Sequence, residues 1–265
     1  MENERKKVAE IMPSVSVILC TNKPADVMTG LPTIHHLTHT IQNGLKRQSF
    51  KQFELIISDA IGLKFPKAIC NVHFPVYHVP VDHNPPSLQA ARNNGLAAAS
   101  GDFLIFLNDC CNFEARFIEK IIEVWEEMGT FASPLWIKEC GEREEKIPGG
   151  GLVRDPRFDM FENFRDNDIV VDEFNLNGYF SCSLESALQV GGFNERRDTV
   201  HFGENLKKAG FHISIHRRIV LKEQKVGYEP TVPDITVNPF DIHKLREERQ
   251  NRRKEFLVME PKSLT

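Results

Sequence analysis

Ser87-Leu-Gln-Ala-Ala-Arg-Asn-Asn-Gly-Leu-Ala-Ala-Ala-Ser-Gly-Asp-Phe-Leu-Ile-Phe-Leu-Asn-Asp-Cys-Cys111 decides how this chain folds. Leu88 to Ser100 is rich in alanine, which predicts a helix, and Gly101 stands where a C-cap belongs. Phe103-Leu-Ile-Phe-Leu107 is apolar over the length of a buried strand, and it ends in the polar run Asn108, Asp109 and Cys110. A helix, a turn and a buried strand in succession form the repeating unit of an α/β sheet. Ligands of such sheets sit beyond the carboxyl ends of the strands, which is where those three residues fall.

The same alternation extends in both directions. Ser14-Val-Ser-Val-Ile-Leu-Cys20 reads as a first strand buried on both faces, ended by Asn22, Lys23 and Pro24. Leu31, Ile34, Leu37, Ile41 and Leu45 predict one helix over 31–47. Phe53-Glu-Leu-Ile-Ile-Ser58 and Val72 to Val81 read as strands two and three, and Phe117, Ile118, Ile121, Ile122 and Trp125 mark the helix after the fourth. The predicted fold is α/β, with a mainly parallel central sheet flanked by helices and a C-terminal helical extension. Thr21, Asp59 and Asn108 to Cys110 each follow a strand, so they share one rim.

Lys138 to Asp172 is charged, glycine-containing and poor in apolar residues, which predicts a long loop of the kind used as a lid or binding element. Order returns at Gly178 to Ser183, a short helix to Val190, a helix over Thr199 to Ala209 and a strand within His212 to Leu221. Pro230 and Pro233 mark an extended linker to a charged terminal helix. The division is then a main domain over 1–225 and a linker with helix over 226–265.

Composition excludes several classes. The chain has 265 residues, 41% of them hydrophobic, and a net charge of -4. That balance argues against nucleic-acid binding through global charge. Between Asp241 and Phe256, however, Lys244, Arg246, Arg249, Arg252, Arg253 and Lys254 outnumber Asp241, Glu247, Glu248 and Glu255 by two, a local basic excess. The N-terminus is charged, without the apolar core of a signal peptide, and no stretch reaches the roughly 18 apolar residues of a membrane helix. Six cysteines without a C-x-x-C pair form neither a disulfide framework nor a zinc pattern, and a reducing cytoplasm is expected.

Four segments in order resemble the family 2 glycosyltransferases: Ser14 to Asn22, Phe53 to Asp59, Ala91-Arg-Asn-Asn-Gly95 with Ala99 to Asp102, and Val190-Gly-Gly-Phe-Asn-Glu195. The resemblance covers roughly residues 14 to 222 and implies a GT-A type nucleotide-diphospho-sugar transferase fold. It implies an enzyme that moves a sugar from a nucleoside diphosphate, a UDP-sugar by expectation, to an acceptor hydroxyl with inversion. Thr21 would contact the nucleotide through its backbone, Asp59 would accept hydrogen bonds from base or ribose, and Arg92 would lie near the diphosphate. Taken alone, Asp59 also fits a turn-forming role at a strand end.

Two motifs depart from the family pattern. The DXD positions, which in the family hold Mn2+ or Mg2+ against the diphosphate, are Asn108, Asp109 and Cys110. Asn108 offers an uncharged carbonyl oxygen and Asp109 the remaining carboxylate, while a thiol suits a hard cation poorly. Cationic side chains, Arg92, Arg217 and Arg218, are alternatives to the ion. Counting back from Gly210, the base position falls on Thr199 with Asp198 beside it, and a one-residue shift makes Asp198 the base. The family's metal-supporting histidine has no match, Leu221, Lys222 and Glu223 occupying that region.

The remaining signals are bland. His35 and His39 have metal-binding spacing but no third ligand, and Cys110 and Cys111 fit small buried hydrophobes. Gly149 to Gly151 fits a mobile loop, and Tyr179 to Ser181 fits either packing or an acceptor pocket. The acceptor is left open, with a polyanion or a hydroxylated DNA base among the choices. A nucleotide-sugar-binding or assembly protein without turnover is the alternative to an enzyme.

Overall fold

The computed structural model describes residues 14–21, 32–63, 71–81, 87–109, 111–128, 131–138, 144–146, 152–154, 169–171, 179–194, 199–223 and 241–259. Four strands run parallel at its centre: β1 (Val15–Thr21), β2 (Phe53–Asp59), β3 (Val76–Pro80) and β4 (Phe103–Asn108), in the order β4-β1-β2-β3. Antiparallel edge strands flank them, Phe180–Ser183 beside β4 and Leu257–Met259 beside β3. The strands are apolar almost throughout because helices cover both faces of the sheet. Val15, Val17 and Leu19 of β1 belong to one core, with Leu37, Ile41, Phe117 and Ile121. Ile18 and Cys20 point the other way into a second core, with Ala91, Leu96, Phe180 and Phe202. This is the two-residue period of a pleated strand used on both sides.

The first core is roofed by α1 (Thr33–His39) and, after the short strand β5 (Cys111–Phe113), by α3 (Phe117–Met128); the second is roofed by α2 (Leu88–Ala98). α2 lies unusually close to the sheet. A Cβ on Gly95 would stand 2.3 Å from Cγ2 of Ile18, so only glycine lets this helix settle on β1. The remaining elements are β6 (Phe131–Lys138), β7 (Glu144–Lys146), β8 (Leu152–Arg154), β9 (Ile169–Val171), β10 (Phe180–Ser183), α4 (Leu184–Gln189), α5 (Thr199–Lys208), β11 (Ile213–Glu223), α6 (Ile242–Asn251) and β12 (Leu257–Met259). Among the described residues, β11 joins β5, β6 and β9 in a second sheet.

Three local expectations change. The helix expected over 31–47 is α1 followed by a π turn at Thr40–Gly44 and a 3-10 turn at Leu45–Arg47. The Thr40 hydroxyl donates to the carbonyls of Asp109 (2.9 Å) or Cys111 (3.1 Å) and accepts the Cys111 N–H (3.2 Å), while Gly44 makes room for the Phe113 ring. Inserted turns of this kind are frequent at functional sites. Gly101 is not the C-cap of α2, which ends at Ala99 in extended geometry. Gly101 instead passes under β1, where a Cβ would meet the Ser14 carbonyl and the Ser16 amide at 2.7 Å.

The third change concerns the segment 138–172, which is not all loop: β7 and β8 form a hairpin and β9 pairs with β11. Gly149 to Gly151 lie outside the described residues. α5 ends as expected at Gly210, whose φ of +89° is the left-handed conformation that glycine adopts freely, with the Phe211 N–H returning to Leu206.

Candidate functional site

The parallel register carries three of the sequence-selected residues to one rim. Thr21 pairs with Asp59 across β1 and β2, and Cys20 pairs with Asn108 across β1 and β4. Thr21 and Asp59 are buried at 0% and 1% exposure. Their contact is direct, the Thr21 hydroxyl donating to Oδ1 of Asp59 at 3.2 Å. Oδ1 also takes the Ile61 N–H at 2.9 Å, and Oδ2 takes the Leu63 N–H at 2.6 Å and lies 2.9 Å from Nε2 of His78. Burial alone would raise the Asp59 pKa; hydrogen bonds from His78, Ile61 and Leu63 outweigh it and hold the carboxyl below its ordinary value.

Both readings of Asp59 therefore have support in its surroundings. It sits at the rim, and it also shapes the turn over residues 60–63, where Gly62 has a φ of +69°. His78, two residues before the end of β3, is a partner that the sequence did not disclose. Its signal was a lone histidine in an apolar strand, which says nothing about which carboxylate it will meet.

Arg92 is 3% exposed on α2. Its Nη1 donates to Oε1 of Gln89 at 3.0 Å, and the guanidinium stands 5.8 Å from the centre of the Phe193 ring. Cys20, beside Thr21 on β1, is buried. Burial pushes its pKa up to about 12, the Arg92 charge opposes that rise and the Asp109 charge adds to it.

Asn93 holds this arrangement together and was missed in the sequence, although it stands inside the quoted motif. Its Oδ1 accepts the Phe193 N–H and its Nδ2 donates to the Phe193 carbonyl, both at 2.8 Å. Gly192 next to it has a φ of +72° and no space for a side chain, since a Cβ would lie 2.7 Å from Asn93 Oδ1. The Ala-Arg-Asn and Gly-Gly-Phe segments are thereby one unit: a buried amide saturates a backbone pair that would otherwise be left unsatisfied in the core.

At the altered DXD positions, Asn108 ends β4 and Asp109 follows it, while Cys110 lies outside the described residues. Oδ1 of Asn108 is buried without a hydrogen-bond partner, an oxygen that a cation or a donor group would satisfy. No group of three His, Cys, Asp or Glu suited to a metal occurs among the described residues. Asp198 and Glu195 lie outside the described residues; Thr199 is the first residue of α5, and Arg217 and Arg218 belong to β11 where its register with β6 shifts. Tyr179, Phe180 and Ser181 are buried, with Phe180 stacked on Phe106 at 4.7 Å between centroids.

The terminal helix differs from the solvated basic face that its composition suggests. Nη1 of Arg246 reaches the carbonyls of Leu96 (3.3 Å), Ala97 (3.4 Å) and Ala99 (2.8 Å), and Nε2 of Gln250 reaches those of Ala97 (2.9 Å) and Ala99 (3.0 Å). Arg253 donates to the Ala98 carbonyl and to the carboxylate of Glu54, with its guanidinium 3.9 Å from the centre of the Tyr77 ring. The carbonyls that a helix leaves open at its C-terminus are closed here by side chains from α6 and the turn after it. Lys244, Arg252 and Lys254 are the basic residues of this segment that face solvent.

The profile of "Glycosyl transferase family 2" matches residues 35–184. The chain belongs to that family. No curated protein sequence matches it. Among solved structures, GalNAc-T7 with UDP, GalNAc and Mn2+ is 14% identical over 82% of this chain and 45% of its own, with a TM-score of 0.56. The mannosyltransferase PcManGT from Pyrobaculum calidifontis, in complex with GDP-Man and Mn2+, is 14% identical over 80% of this chain and 56% of its own, with a TM-score of 0.55. Likeness at this level establishes the fold, which is GT-A, and the chain spans about half the length of these two proteins. No helix among the described residues is long and apolar enough to cross a membrane.

Proposed function

We propose that this chain transfers a glycosyl group from a nucleoside diphosphate sugar, a UDP-sugar by preference, to an acceptor hydroxyl with inversion. The register that brings Thr21, Asp59 and Asn108 to one rim, with Asp109 following Asn108 and Arg92 on the helix α2 that packs against β1, carries this reading. It supplies a positive group for a diphosphate and a polar wall for a nucleoside at one strand rim. In the reaction the acceptor oxygen attacks the anomeric carbon, the bond from that carbon to the diphosphate oxygen breaks, and the acceptor proton passes to a carboxylate. Asp198, with Thr199 beside it, is the group proposed for that proton.

Asn108 Oδ1 and the Asp109 carboxylate are oxygen donors of the kind Mg2+ and Mn2+ take, and the unsatisfied Asn108 oxygen supports a cation there. Such an ion, when bound, offsets charge on the departing diphosphate. Arg92 adds positive charge from α2, a supplement that this chain's reduced carboxylate count at 108–110 makes useful.

The acceptor is proposed only as a hydroxyl compound. A polyanion would meet Lys244, Arg252 and Lys254 rather than the whole basic run, because Arg246, Arg249 and Arg253 are engaged with α2 or β2. The deciding measurement is turnover of a panel of nucleotide sugars, with Mn2+ and with EDTA, beside calorimetric binding of UDP and GDP. Turnover that Asp109→Ala abolishes is expected. Nucleotide binding with no turnover of any donor would favour the binding-protein alternative.

A further inference from the structure

The segment Ile242–Met259 lies outside the family match, yet it touches α2 along much of its length. Besides the carbonyl contacts of Arg246, Gln250 and Arg253, Nε of Arg249 donates to Oδ1 of Asn94 at 2.8 Å, while Nδ2 of Asn94 donates to the Ala90 carbonyl at 2.9 Å. Asn93 and Asn94 are thus adjacent buried amides with different partners, one holding Phe193 and the other α6. Ile242, 2% exposed, closes the same assembly from below: a Cβ on Gly192 would lie 3.4 Å from its Cγ1. Phe193, fixed by these contacts, presents its ring to the Arg92 guanidinium.

We infer that α6 is a positioning element of the donor site, setting Arg92 through Asn94 and through Ile242 beneath the Gly192–Phe193 turn. This rests on the donor-site reading above. Arg249 and Ile242 touch neither donor nor acceptor in it; they act through Arg92. Rigid packing makes the route physical, because α2 has no slack against β1 at Gly95 and no open carbonyl at its far end.

The test is a double-mutant cycle in the full-length chain, with UDP and GDP binding read by calorimetry and unfolding followed separately. Arg249→Met and Ile242→Ala are each expected to weaken nucleotide binding about fivefold at temperatures well below their unfolding transitions. In an Arg92→Ala background the same substitutions are expected to leave the already reduced affinity unchanged. A lowered unfolding temperature with unchanged affinity would show support of the fold alone and overturn the inference. So would an equal loss of affinity with and without Arg92, which would exclude the route through that residue. Failure of the unsubstituted protein to bind either nucleotide would overturn the donor-site reading first, and this inference with it.

Discussion

β2 carries a buried carboxylate near each end, and the two are satisfied in different ways. Glu54, at the amino end, faces Arg253 and also accepts from the Ser16 hydroxyl (2.6 Å), the Ser100 N–H (2.9 Å) and the Ser100 hydroxyl (3.0 Å). Asp59, at the carboxyl end, is surrounded by a hydroxyl, two backbone amides and an imidazole. An arginine partner fastens distant parts of the chain, whereas a hydroxyl, backbone amides and an imidazole hold the other carboxylate in place at the rim. The two ends of the sheet therefore differ: closure by the C-terminal segment at one, the proposed donor site at the other.

The strongest way to break this contrast is Glu54→Ala. It removes the carboxylate partner of the Arg253 guanidinium, whose side chain is 16% exposed, with an expected loss of about 3 kcal/mol in urea unfolding. A loss below about 1 kcal/mol would mean that the pair is no anchor. Gly95→Ala tests the helix that links the two ends. The clash with Ile18 is expected to cost about 1–3 kcal/mol despite the better helix propensity of alanine, and an unchanged or raised unfolding temperature would refute the close approach.

Asp59→Asn is expected to lose about 1–2 kcal/mol near neutral pH. Its pH dependence is the sharper readout. The folded carboxyl lies below its ordinary value of 3.8, so its contribution is complete above that value and disappears as pH falls through the lowered one. The stability gap between the two proteins should close in that acid window; a gap that persists there would assign the effect to packing. The smallest effect is expected at Cys20, whose buried thiol is pushed up to about 12. Iodoacetamide at pH 8 should leave it unmodified in the folded protein, as read by mass spectrometry, and rapid labelling would show that the rim opens.

Much of the fold was legible because its signals are short-ranged. The apolar runs at Val15–Thr21, Phe53–Asp59 and Phe103–Asn108 fill strands with two covered faces, and strand ends locate Thr21, Asp59 and Asn108 without reference to any other part of the chain. The π turn at Thr40 was not legible, since its cause is a hydroxyl meeting the Asp109–Cys111 backbone rather than a break in apolar periodicity. Nor was β12: Leu257–Met259 is too short to announce itself and becomes a strand only beside β3.

Residue periodicity and strand-end polarity are properties of neighbours, so the alternation of strands and helices, the rim and the family resemblance follow from the order of residues. Tertiary structure alone decided that Asn93 would clasp Phe193, 100 positions away, and that Arg253 would meet Glu54 across 199. Those pairings depend on which surfaces the packed helices bring together. A side chain's identity fixes what it can bond, but only the closed core removes water and leaves it a particular partner.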